Sequence, residues 1–70
     1  MTGPDDTRLA DVHLLVEEAL VVVERQRMVV LELQRNGQDA AEAKRLLLHC
    51  IEILTQNQEE LERINAASNA

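Results

Sequence analysis

Apolar residues recur in this chain at alternating steps of three and four. Leu9, Val12, Val16, Ala19, Val23, Val30 and Leu33 follow steps of three, four, three, four, seven and three. That is the a/d register of a heptad, with the polar Gln26 at a d position inside the seven-residue step. Ala40, Ala43, Leu47, Cys50, Leu54, Leu61 and Ile64 repeat the pattern, and here Asn57 is the polar d residue. A period near 3.5 puts every one of these positions on one side of a helix, whereas a strand needs a period of two. The segment "ALVVVE", residues 19–24, is locally strand-like because valine is β-branched, but the register runs unbroken through it.

The two registers are separated by "LQRNGQDAAEAKR", Leu33 to Arg45. Gly37 suits the left-handed position just past a helix end, and Asn36 tolerates the same region. Arg35 places a cation in the last turn, where it complements the helix dipole. Asp39 is a candidate N-cap, with Glu42 three residues on as the reciprocal arm of a capping box. Pro4, Asp5 and Asp6 read as the first helix start, with Thr2 or Asp5 as cap. The expected organisation is one domain over residues 1–70: helix 1 about 5–35, a turn at 36–38, helix 2 about 39–64 and a frayed tail at 65–70. So short a connection favours antiparallel neighbours, giving an all-α, coiled-coil-like two-helix hairpin. In it Val23 faces Cys50, Ala19 faces Leu54, Val16 faces Asn57, Val12 faces Leu61 and Gln26 faces Leu47. Likewise His13 faces Glu60 and His49 faces Glu24.

One seam does not use all the apolar residues. Leu15, Val22 and Val29 flank the first stripe. Leu46 and Ile53 flank the second, with Leu48 and Ile51 widening it. A stripe this wide belongs to a bundle, in which each helix touches two neighbours. Seventy residues without a disulfide pair or a metal make a marginal monomer. The expectation is a homodimer of hairpins forming a four-helix bundle with two-fold symmetry. Its self-association core is Val12, Leu15, Val16, Ala19, Val22, Val23, Val30, Leu33, Leu47, Cys50, Ile53, Leu54 and Leu61. Gln26 and Asn57 are candidate register-setting polar residues, satisfied across the dimer or left at a wet edge. Leu14, Val21 and Met28, seven apart among Glu17, Glu18, Glu24 and Arg25, are either scattered surface residues or a partner strip for another helical protein.

Composition excludes several functions. The chain has no aromatic residue, so bases cannot stack on it and it cannot build an aromatic cage. Its formal net charge of −6 disfavours a nucleic-acid partner. Expected helix-surface ion pairs are Arg8–Asp11, Glu32–Arg35, Glu42–Arg45 and Glu59–Arg63. Positive charge gathers only near the bend, where Arg35, Lys44 and Arg45 form a candidate basic rim. His13 and His49 lie on different helices with no His-x-x-x-His or Glu-x-x-His spacing, so no metal site and no cofactor are expected. Cys50 follows His49 directly, and adjacent helical residues point about 100° apart, which is not a nucleophile–base pair. At its d position Cys50 reads as a small core hydrophobe. With no phosphate loop or serine motif either, the chain is not expected to be an enzyme. The acidic start "MTGPDDTRLADVHLL" is unlike a secretory signal, and the longest apolar run, Ala19 to Val23, is too short to cross a membrane. With a single cysteine, this points to a cytoplasmic protein.

The run Arg25 to Ile64 resembles short uncharacterised proteobacterial helical-hairpin proteins with an Arg-Gln-Arg, Gly-x-Asp and Leu-rich-helix pattern. The matching residues are Arg25, Gln26, Arg27, Leu33, Gly37, Asp39, Ala43, Leu46, Leu47 and Leu54, across somewhat over half the chain. The resemblance implies a helical hairpin and no established activity. In shape alone the hairpin is also similar to the RNA-binding repressor-of-primer dimers of plasmids. The expected function is a small protein–protein interaction or regulatory module acting through helix faces. The alternatives are a nucleic-acid-binding regulator that gathers Arg25, Arg27, Arg35, Lys44 and Arg45 on one face, and a metal- or redox-linked protein using His49 and Cys50.

Overall fold

Two helices account for nearly all of the chain. In the computed structural model, which describes the backbone of residues 4–69 and the side chains of residues 8–67, α1 spans Pro4–Arg35 and α2 spans Ala41–Asn69. They pack against each other along their lengths as an all-α hairpin. The cap proposed at Thr2 and the side chains of Asp5 and Asp6 lie outside the described residues.

The turn follows from local hydrogen bonding. Asn36 N–H still donates to the Glu32 carbonyl at 3.1 Å, as within a helix. Gly37 N–H then donates to the Gln34 carbonyl at 3.1 Å and Gln38 N–H to the Leu33 carbonyl at 2.8 Å. This pair of bonds is the Schellman arrangement, and it needs a left-handed residue, which Gly37 supplies at φ 71°. Asn36 does not share that conformation, since among the described residues no residue other than glycine has a positive φ.

α2 begins two residues later than the sequence suggests. Its ladder opens with Lys44 N–H donating to the Ala40 carbonyl at 2.8 Å, while the Asp39 carboxylate accepts from Ala41 N–H at 2.9 Å. Asp39 therefore caps an orphan donor, but among the described residues no hydrogen bond joins Glu42 to the Asp39 N–H, and the box stays half closed. At the far end α2 continues to Asn69 instead of stopping near residue 64. Asn65, Ala66, Ala67 and Ser68 contain neither glycine nor proline to break the ladder.

The seam is the heptad register. Val12, Ala19, Val23, Val30, Ala40 and Cys50 are buried, and Leu9, Val16, Gln26, Leu33, Ala43, Leu47, Leu54, Asn57, Leu61 and Ile64 are half-buried. Among the described residues only one half-buried position lies outside that register: Glu60, at the edge of the seam. The molecule is a rod of 55 × 17 × 13 Å. No helix among the described residues is long and apolar enough to cross a membrane.

Candidate functional site

The heptad places positions g and e on opposite edges of the seam, and an antiparallel pair brings g beside g and e beside e. Leu15, Val22 and Val29 hold g positions in α1, and Leu46 and Ile53 hold them in α2. All five are exposed, at 41–51%. Leu15, Val22 and Ile53 form the walls of an open groove, with Ala19 and Cys50 at its floor and Glu18 and Asn57 on its border. The Cys50 thiol is free and buried there, so it fills space under the groove. Leu48 and Ile51 do not widen this face. Their positions put them on the other edge of α2, nearer Leu20 of α1.

Gln26 finds its partner inside the hairpin. Its side-chain amide donates to the Ala43 carbonyl at 3.0 Å. That oxygen points along α2 toward Leu47, the residue expected to face Gln26, and its second lone pair takes the extra bond. Asn57 instead borders the groove.

None of the four expected surface ion pairs is present among the described residues. Arg8 reaches across to Glu60, whose second oxygen accepts from Arg63 at 2.8 Å. Glu60 has this role because its g position lies beside the seam, whereas Glu59, one residue earlier, faces outward. Neither cross-helix histidine pair forms: Glu24 pairs with Arg27 at 3.6 Å, and His49 lies 4.0 Å from Glu52. His49 thus stays outside while Cys50 is buried. Among the described residues no group of three or more His, Cys, Asp or Glu converges in a metal-binding arrangement.

Leu14, Val21 and Met28 are exposed at 54%, 50% and 60%, on the side of α1 facing away from the seam. Arg35, Lys44 and Arg45 are exposed around the bend. The wider set of Arg25, Arg27, Arg35, Lys44 and Arg45 is spread over c, e and f positions, and the hairpin does not gather it on one face. No protein-family model matches the chain, and neither a curated protein nor a solved structure matches it.

Proposed function

We propose that this chain is a non-enzymatic protein–protein interaction module acting through its helix faces. Its first partner is a second copy, and the two hairpins close a four-helix bundle over the groove. The carrying observation is the row Leu15, Val22, Val29, Leu46 and Ile53, wet in the single chain and continuous with the seam. Contiguous apolar surface rimmed by polar residues is the usual mark of an interface.

The surface area supports this reading. The chain exposes 5510 Å², against about 4,400 Å² for a compact monomer of its mass. Its radius of gyration is 16.1 Å, against about 11 Å for a compact domain of this length. The excess area is comparable with the ~800 Å² per partner that a standard stable interface buries. Twelve large apolar residues are exposed among the described residues and only six apolar residues are buried, too apolar a surface and too small a core for a lone hairpin. The single free thiol fits a reducing compartment such as the cytoplasm.

Sedimentation equilibrium over a concentration series tests the proposal. Twice the chain mass at micromolar concentration is the expected result. One chain mass at every concentration would overturn it.

A further inference from the structure

We propose that the outer face of α1 is a second helix-docking seam, fitted to a basic amphipathic helix of another protein. It extends the interaction reading above to a face that the bundle leaves in water, and it does not depend on the bundle forming.

Leu14, Val21 and Met28 do not stand alone. Leu14, Glu17, Val21, Glu24, Met28 and Leu31 follow steps of three, four, three, four and three. That is a heptad register of its own, built on the f and b positions of the first. All six residues are exposed. A shallow depression joins Leu14, Glu17 and Val21 to Glu18 and Arg25 beside them. With 3.6 residues per turn, the centre of this seam lies about 120° around α1 from the Leu15, Val22 and Val29 row, so both can be covered at once. A helix that served only one neighbour would keep its apolar residues to one stripe.

The seam alternates apolar residues with carboxylates, Glu17 and Glu24. Beside it Asp11, Glu18 and Glu32 add three more acids, and Arg25 and Arg27 are the cations, with Arg35 one turn past the end. Arg27 already lies 3.6 Å from Glu24, but both side chains are more than half exposed and the pair is weak. A helix that covers Leu14, Val21 and Met28 sets its own residues against Glu17 and Glu24. Lys or Arg at those places leaves no carboxylate covered without a partner.

A second copy does not supply them. The seam holds no cation. In a parallel pair of α1 helices Glu17 and Glu24 meet their own kind, and in an antiparallel pair they meet apolar residues. The flanks add no net attraction: with Leu14 against the partner's Leu31, each Glu18 faces the partner's Arg25 while each Asp11 faces the partner's Glu32. The outer row of α2 reads Arg45, Glu52, Glu59 and Ala66, with a single cation. The occupant is therefore a different chain, one that alternates Lys or Arg with apolar residues along one helix face.

Synthetic three-heptad peptides test this through the anisotropy of an attached fluorophore. One carries Leu at a and Lys at d, to fit as a parallel helix. Another exchanges the two, to fit as an antiparallel helix. Each has a counterpart with Glu in place of Lys. One Lys peptide saturates the chain at one to one, and binding weakens about tenfold in about 1 M salt. Its Glu counterpart binds at least about tenfold more weakly. Val21→Arg weakens the Lys peptide by about as much. Glu17→Lys with Glu24→Lys reverses the preference between the two peptides. Glu52→Lys with Glu59→Lys makes the same change in net charge on the outer face of α2, and shifts the Lys peptide less than about threefold.

Equal weakening by the two double variants reduces the effect to net charge and overturns the proposal. So does the absence of saturable binding by either Lys peptide. A parent chain that sediments above twice its mass, and loses that excess on Val21→Arg, overturns it in favour of a further copy on the seam. A chain that sediments as a monomer yet binds a Lys peptide overturns the bundle and leaves this seam standing. A dimer that binds neither does the reverse.

Discussion

At the scale of single residues, Gly37 and Gln26 show how differently sequence and structure can inform. Gly37 is set by backbone geometry. A Cβ added there meets no atom within 4 Å, so the cost of Gly37→Ala is the left-handed conformation alone. That substitution should lower stability by about 1 kcal/mol in urea unfolding at fixed protein concentration, with the helical signal of the native state unchanged. The glycine and the Asp39 cap were legible because both signals are local. Gln26 was not. Nothing in its neighbourhood says that its amide reaches the Ala43 carbonyl, because the bond depends on which part of α2 lies opposite. Leu47 N–H remains available to that carbonyl, so Gln26→Leu removes one weak bond, orphans nothing and adds apolar contact at a d position. It should raise stability by about 1 kcal/mol in the same measurement. A loss of that size would mean the amide bond matters more to the pairing than the apolar contact.

At the scale of elements, the hydrophobic period of each helix names its buried side almost residue by residue, because a register of sixteen positions leaves one consistent face. The ion pairs were far less legible. Spacing within a helix proposes many neighbours of similar weak energy, and the choice falls to position relative to the other helix. Glu60 sits beside the seam and joins Arg8 of α1 to Arg63 of α2 at the open end of the hairpin. Arg8 and Arg63 are largely exposed, so the junction is weak: Glu60→Gln should cost less than about 1 kcal/mol, and the difference from the parent should vanish in 1 M salt. A cost that persists at high salt would mean Glu60 supports the fold by packing. The end of α2 was illegible for a related reason. Small and polar residues past Ile64 carry no register, so only the absence of a breaker lets the helix run to Asn69.

For the whole molecule, the two helices differ in how they present apolar surface. α2 keeps most of its apolar residues near the seam, whereas α1 carries them on the seam, on the groove edge and on the side away from both. The sequence shows this excess but cannot rank its parts, because a row seven apart reads the same at g as at f. The hairpin ranks them. Val22 borders the groove beside Cys50 and Ile53, while Val21, one residue earlier, is turned about 100° away to the outer face. The proposed bundle therefore gives opposite predictions for adjacent valines of nearly equal exposure. Val22→Arg sets two guanidinium groups into the proposed interface, so the sedimenting mass should fall to one chain and the melting temperature should lose its dependence on concentration. Val21→Arg should leave both unchanged, since its side chain remains in water whether or not the dimer forms. If Val21→Arg dissociates the dimer and Val22→Arg does not, the interface lies on the Leu14, Val21 and Met28 face, and the groove over Cys50 is the surface left free.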